Sequence, residues 1–292
     1  MPTVIDIVLP TFIVILIGYL IGRFTRISIN PVVDISLYVG IPALVIVSLI
    51  NKEIVLVAAA KVWAAALTIQ IGVLVVAWLA FRALRQKHSG LYVAIAMMNT
   101  VNIPFPIIYL AYGAEGLTAA TLFYIPNLLL LYTLGVYIMA GRGWRDSARE
   151  VFRLPVLYAA VLGLAFNFLN ITVPKLAVAT LDFISLMAIP LVLITLGHNL
   201  SRVKMTSLPT TLLASLLRIG GGVAIGLLMV WALNINGVDG SVVVLISAMP
   251  AAATTTMLAT RYNNEPELVS SVVLVTTVAS IVVIPFLLSI LG

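Results

Sequence analysis

The sequence contains no cysteine and few charged residues, and both shortages narrow what the protein can be. Without cysteine, none of the 292 residues can form a disulfide or supply a thiolate ligand to a metal ion. Charged residues make up only 9% of the chain, against about a quarter in a typical soluble domain. Hydrophobic residues make up 62%, more than one soluble core could bury. The composition therefore predicts a protein that crosses a membrane several times.

Sequence patterns for catalysis and for ATP binding are also missing. The two histidines, His88 and His198, lie far apart in the chain, at the same predicted edge of the membrane. The sequence has no paired mid-membrane aspartates, Ser–His pair, HExxH helix or phosphate-binding loop. We therefore predict neither an enzyme nor a primary pump, and no cofactor or metal. The net charge of +6 comes from loops beside apolar segments, so it does not indicate nucleic-acid binding.

Long apolar runs separated by short polar patches extend over the whole chain and predict an all-α membrane protein. A helix needs about 20 apolar residues to cross a bilayer. Strands of a membrane barrel would alternate polar and apolar residues, which these runs do not. We predict ten transmembrane helices, at residues 3–22, 32–50, 60–82, 90–111, 116–140, 154–171, 177–197, 209–233, 240–260 and 267–291.

The distribution of basic residues predicts the orientation of these spans. Twelve of the sixteen Lys and Arg residues lie in loops that follow odd-numbered spans, three lie on the opposite side, and Arg218 lies within a span. Because basic loops stay in the cytoplasm, we expect a multi-pass protein of the cell membrane with both termini on the extracytoplasmic side.

The chain reads as two halves joined by its one long charged run, "GRGWRDSARE". We predict a first five-helix repeat at residues 1–141, a cytoplasmic connector at 142–153 and a second five-helix repeat at 154–292. Since five is odd, the second half must enter the membrane from the opposite side. Two inverted repeats around a site at mid-membrane depth are a common design of secondary transporters.

Corresponding residues recur in the same order in both halves. "DISLYVGIPALVIV" from Asp34 matches "DFISLMAIPLVLIT" from Asp182, and each aspartate is followed by a proline eight residues later. At a similar offset, Tyr112 and Glu115 match Tyr262 and Glu265. Asp and Pro are rare within membrane spans, so the match favours a repeat over chance.

The stretch "NTVNIPFP" interrupts the fourth span near its centre. Pro104 and Pro106 lack an N–H group and should free the carbonyl groups of Thr100 and Asn102. Within a bilayer, such a break is tolerated only where it is buried in protein or lines a cavity.

The ninth span contains a matching interruption, "AMPAAATTT", with Pro250 at its centre. A plain proline kink is the alternative for either span alone. Interruptions in corresponding spans of both halves favour a binding site, where the N-termini of broken crossover helices would attract an anion. The predicted substrate-binding residues are Asn99, Thr100, Asn102, Pro104, Pro106, Pro250, Thr254, Thr255 and Thr256.

Two basic residues within spans are candidates for charge compensation or coupling. Arg218 lies well inside the eighth span, and Lys61 lies near the outer end of the third. Either could neutralise an anion or a carboxylate partner. For Lys61 the alternative is that its side chain extends to the membrane surface. No carboxylate lies in either break, so we expect proton coupling or facilitated diffusion rather than a tight sodium site.

The interrupted spans resemble those of the auxin efflux carrier family, which includes plant PIN carriers and prokaryotic carriers of malonate- and malate-type anions. "IPALVIVSL" also resembles the second-span signature of that family. Thr255 stands where plant members have a further proline. The residues that match the family's two patterns are Asn99, Pro106, Tyr112, Gly113, Pro250, Tyr262, Asn263 and Pro266.

The resemblance implies a ten-helix inverted-repeat fold related to bile-acid symporters. In that family spans 1, 2, 6 and 7 form a scaffold, and spans 3–5 and 8–10 form a transport domain that moves around the crossover. It also implies elevator-type transport of small organic carboxylates across the lipid bilayer. Related carriers are often dimers, so a homodimer is a further expectation.

Two other functions fit the same residues. A membrane sensor would bind a ligand without moving it, although the chain has no soluble signalling domain. A gated channel could line its pore with the same Asn and Thr side chains. Slow, saturable flux would distinguish a carrier from a channel.

Overall fold

The described part of the chain is helical. In a computed structural model, which describes residues 3–141 and 149–291, no residue belongs to a strand apart from one isolated backbone bridge. In chain order the main helices are α1 (Val4–Phe24), α2 (Asn30–Ile50), α3 (Leu56–Ala83), α4 (Ser89–Ala96), α5 (Pro104–Ala140), α6 (Pro155–Phe168), α7 (Lys175–Leu200), α8 (Leu208–Ala232), α9 (Gly237–Ser247), α10 (Ala253–Arg261) and α11 (Pro266–Leu291).

Seven of these helices are long and apolar enough to cross a membrane, as counted over residues 3–141 and 149–291. They are α1, α2, α3, α5, α7, α8 and α11. The all-α, multi-pass class predicted from the sequence is therefore supported, whereas the count of ten spans stays a prediction. Residues 142–148 of the predicted connector lie outside the described part of the chain.

The difference between ten and seven has a structural cause. The predicted ninth span is divided into the short helices α9 and α10, the predicted fourth span into α4 and the beginning of α5, and α6 has only 14 residues. The predicted fourth and fifth spans also run together as α5, which changes direction at Gly113. Gly113 has a φ of 63°, a left-handed conformation that a side chain would oppose, so glycine suits this corner.

Glycines bring the long helices unusually close at two places. A Cβ atom on Gly18 would overlap the carbonyl oxygen of Ile194, and one on Gly197 would overlap that of Ile15. Helix α1 therefore packs backbone to backbone against α7. On α8, a Cβ atom on Gly222 would overlap the carbonyl oxygen of Ser247, the last residue of α9. Small residues are common at such contacts in membrane proteins, because dispersion rather than the hydrophobic effect holds the helices together.

Candidate functional site

The two helix interruptions predicted from the sequence lie against each other. Helix α4 ends at Ala96 and α5 begins at Pro104, while α9 ends at Ser247 and α10 begins at Ala253. The two non-helical segments, 97–103 and 248–252, form an antiparallel backbone bridge. Within it, the amide of Asn99 donates to the carbonyl of Pro250 at 2.8 Å, and the amide of Ala252 donates to that of Met97 at 2.9 Å. The bridge satisfies backbone groups that a bilayer could not.

The prolines of the first interruption act differently from the sequence-based expectation. Pro104 and Pro106 lie in the first turn of α5, where an N–H group would have no helical partner in any case. Thr100 and Asn102 precede the helix, so their carbonyl groups are not freed from a helical ladder. The prolines therefore mark where α5 starts, and the break itself lies just before them.

Asn99 presents an unused hydrogen-bond donor at this break. Its side chain is 4% exposed, and its Oδ1 accepts a hydrogen bond from the amide of Asn102 at 2.9 Å. That bond fixes the orientation of the side-chain amide. Its Nδ2 is buried and has no partner among the described residues. A buried donor without a partner is costly in a folded protein and is a sign of a missing ligand or water.

Asn127, on α5, completes the polar cluster and was missed by the sequence analysis. It is 3% exposed, and its Nδ2 donates to Thr100 Oγ1 at 2.9 Å. Its Oδ1 is buried and has no partner in the described part of the chain. The only available signal was a single asparagine in an apolar helix, with nothing to place it beside Thr100.

A cavity of about 120 Å³ lies between these side chains. Asn99, Thr100, Asn102, Asn127 and Thr254 supply polar groups to its wall, together with three tyrosines, Tyr38, Tyr124 and Tyr132. Leucine, isoleucine and methionine side chains form much of the rest. The cavity therefore combines a small polar end at the helix breaks with an apolar wall, which is the usual composition of a small-molecule site.

Two further cavities adjoin this one and share residues of its wall or of each other's. A cavity of about 80 Å³ shares Asn102, Ala253 and Thr254 with the first. A larger one of about 660 Å³ shares Ala253 and Met257 with the second. Among the residues lining the large cavity are the basic Arg202, Lys204 and Arg261. Three neighbouring cavities that share wall residues thus extend from the helix breaks toward the side that the basic residues predict to be cytoplasmic.

The remaining predicted site residues lie near these cavities but do not all line them. Thr256 lines only the large cavity. Thr255 is buried, and its hydroxyl donates to the carbonyl of Ala252 at 2.6 Å. Pro104 and Pro106 are buried without lining the cavities described here, and Pro250 supplies a carbonyl to the backbone bridge.

Arg218 contacts the opposite ends of the broken helices. It is fully buried on α8, and its Nη1 donates to the carbonyls of Ile95 at 2.9 Å and Ala96 at 3.0 Å. Its Nη2 donates to the carbonyl of Ser247 at 2.7 Å. These are the last carbonyl groups of α4 and α9, which carry the negative ends of the helix dipoles. No carboxylate in the described residues pairs with Arg218, and Arg218 does not line the cavity of about 120 Å³.

Lys61 is distant from this arrangement. Its Nζ donates to the carbonyl of Asn234, near the end of α8, at 3.2 Å, and the contact is exposed. It lines none of the three neighbouring cavities. This position fits a lysine whose side chain extends to the membrane surface better than it fits a role in the site.

Replacing Arg218 with methionine should destabilise the protein. Three buried carbonyl groups would lose their donor, at about 1–3 kcal/mol each in soluble proteins and less within a bilayer, so we expect a loss of about 2–5 kcal/mol. Thermal unfolding of the purified protein in detergent measures this as a lower midpoint. Lys61→Met is the matched control, since it removes one exposed contact. Equal midpoints for the two variants would contradict the assigned contacts.

Comparison with known proteins gives a consistent result. The sequence profile of a family described as "Membrane transport protein" matches residues 144–288. An uncharacterized transporter from Methanothermobacter thermautotrophicus is 30% identical over an aligned length of 295 residues, gaps included, and the alignment covers 95% of each chain. An uncharacterized transporter from Methanocaldococcus jannaschii is 25% identical over 212 residues, covering 70% of this chain and 68% of that protein.

Proposed function

Because the chain belongs to the membrane transport protein family, that of the auxin efflux carriers, we propose that it moves small organic carboxylate anions across the cell membrane by elevator-type alternating access. The observation that carries this proposal is the unpaired, buried Nδ2 of Asn99, a residue that lines a cavity between two broken helices. Because the family is one of membrane transport proteins, a carrier is favoured over an enzyme.

The chemistry of the cavity suits an anion. Helix α10 begins at Ala253, and the amides of Ala253 and Thr254 have no acceptor among the described residues, as is usual for the first turn of a helix. Both residues line the cavity. Amide donors and the positive end of a helix dipole favour negative charge. Together with Asn99 Nδ2, they form a set of donors to which a carboxylate could bind.

The fold that we propose is a pair of inverted five-helix repeats, residues 1–141 and 154–292, whose broken helices cross at this site. Corresponding helix ends support it, because α2 ends at Ile50 and α7 at Leu200, an offset of 150 residues. Gly113 and Asn263, also 150 residues apart, both have positive φ values, of 63° and 50°. Offsets of 151 and 149 residues relate the ends of α4 and α9 and the starts of α5 and α10.

Within this fold α1, α2, α6 and α7 form a scaffold, and α3–α5 with α8–α11 form a transport domain that moves against it. Tight packing of α1 on α7 supports the first group, and the contacts of Arg218 on α8 with the ends of α4 and α9 support the second. Both termini lie outside the cell.

In the proposed mechanism, this conformation is the state open to the cytoplasm. The large basic cavity separates α7 from α10 and α11 on that side. On the other side the two groups are in contact, since Lys52 Nζ and Glu115 Oε2 are 2.9 Å apart, Thr118 donates to the carbonyl of Ser48 at 2.8 Å, and the hydroxyls of Ser48 and Thr121 are 2.8 Å apart. Movement of the transport domain would open this side and close the other.

Substitution of Asn99 by aspartate should abolish transport, because a negative oxygen would repel the anion at this position. Aspartate keeps the Oδ1 that accepts from the amide of Asn102 but replaces the free donor with a negative oxygen. We expect saturable counterflow of labelled carboxylates in proteoliposomes to fall by more than about tenfold, since a hydrogen bond to a charged group contributes about 1.5–3 kcal/mol.

The matched control for this experiment is Asn236→Asp, an exposed asparagine outside the cavities. Unchanged counterflow in Asn99→Asp would contradict the site. Downhill flux without any counterflow would favour the gated-channel alternative, and ligand binding without flux would favour the sensor.

Cysteine cross-linking tests the alternating movement. The repeat counterparts of Lys52 and Glu115, at an offset of 150 residues, are Arg202 and Glu265, which we expect to approach each other when the cytoplasmic side closes. Because the chain has no cysteine, Arg202→Cys with Glu265→Cys provides the only thiols. Oxidation during turnover should cross-link them and stop transport until a reductant is added, as disulfides require Cα atoms within about 7 Å.

Lys52→Cys with Glu115→Cys serves as the positive control, because these side chains are already in contact. The proposed closure would be refuted if the control pair formed a cross-link while Arg202→Cys with Glu265→Cys formed none and still transported its substrate.

A further inference from the structure

We infer that the site selects small carboxylates with one negative charge over those with two, an inference that rests on the proposed function. The first observation is the absence of charge around the ligand. None of the residues that line the cavities of about 120 and 80 Å³ is Lys, Arg, His, Asp or Glu, in the described part of the chain. Any charge on the ligand must therefore be balanced by amides and helix ends.

Arg218 supplies a positive charge nearby, but both of its Nη atoms are already bound, and only its buried Nε lacks a partner among the described residues. Its guanidinium binds the last carbonyls of both α4 and α9. Each helix C-terminus carries roughly half a negative charge, so two such ends together balance about one arginine. Arg218 also does not line the cavity. The carbonyls that it binds lie at the C-terminal ends of α4 and α9, just before each break.

The helix starts that line the cavity remain unbalanced. Helix α10 begins at Ala253 and α6 begins at Pro155, and both starts line the cavity. The start of α5 offers no free amide, because Pro104 and Pro106 lack an N–H group and the amide of Phe105 donates to the carbonyl of Val101. Each helix N-terminus carries roughly half a positive charge, so the two together match about one carboxylate. The unpartnered, buried Nδ2 of Asn99 indicates a ligand acceptor at the same place.

A second carboxylate would lack such a partner. Away from the helix starts, the cavity wall is formed by Leu37, Ile41, Leu128 and Leu131 and by tyrosine side chains. An ionised carboxylate placed against this wall would lose its hydration without gaining compensating charge. A neutral hydroxyl, by contrast, could donate to the free Oδ1 of Asn127. The arrangement therefore fits a monocarboxylate, and a hydroxy acid uses both unpaired side-chain atoms.

Lactate and malonate form a matched pair of probes, each with three carbon atoms. We would load proteoliposomes with one unlabelled acid and measure saturable uptake of its labelled form at about pH 8, where the carboxyl groups of both acids are ionised. Lactate counterflow should exceed that of malonate by at least about tenfold, the effect of roughly 1.4 kcal/mol of uncompensated charge.

A charge added to the wall should reverse this preference. Thr254 is half-buried and lines both cavities, so Thr254→Lys places a second positive charge beside the ligand, whereas Thr254→Met adds similar bulk without charge. We expect malonate counterflow to rise relative to lactate in the lysine variant alone.

The outcomes separate the inference from the function on which it rests. Malonate counterflow equal to or above that of lactate in the unmodified protein would overturn the inference and leave a carboxylate carrier standing. An absence of counterflow for both acids, and for longer mono- and dicarboxylates, would overturn the inference and the proposed function together.

Discussion

Three hydrogen bonds from the buried Arg218 hold the C-terminal ends of the two broken helices together, and the arrangement of the site relies on this contact. Breaking two helices inside a membrane protein exposes four helix ends where water is scarce, and every backbone group at those ends needs a partner. Arg218 satisfies the carbonyl ends of α4 and α9 from a third helix, and Gly222 allows that helix to approach the carbonyl of Ser247. The backbone bridge between Asn99 and Pro250 satisfies part of the remainder.

The hydrogen-bond donors that remain without acceptors define the proposed site. Once Arg218 and the bridge have used the carbonyl ends, the start of α10 and the side-chain amide of Asn99 still lack acceptors among the described residues. A membrane protein gains little from leaving donors buried and unpaired, and a ligand that accepts hydrogen bonds would resolve the deficit. In the proposed function, structural stability and anion binding are linked, because the same break creates both the carbonyls that bind Arg218 and the donors to which a carboxylate could bind.

The sequence predicted the breaks well because proline, asparagine and threonine are rare together in apolar helices. It also led to the family through the spacing of Asn99, Pro106 and Tyr112. It did not predict the partners of Arg218, since backbone carbonyls have no sequence signature and a lone intramembrane arginine suggests a carboxylate or an anion instead. Asn127 was missed because only the folded chain brings it beside Thr100. Lys61 was predicted as a second candidate for charge compensation, yet it contacts the carbonyl of Asn234, just beyond the end of α8.

The decisive measurement is the position of a bound carboxylate. Crystals of the protein grown with bromoacetate would report the bromine by anomalous scattering. We expect a single strong peak in the cavity between Asn99 and Thr254, with the carboxylate within about 3 Å of Asn99 Nδ2, the length of a hydrogen bond. A peak confined to the basic cavity near Arg202, with the space at the helix breaks filled by water, would contradict this expectation.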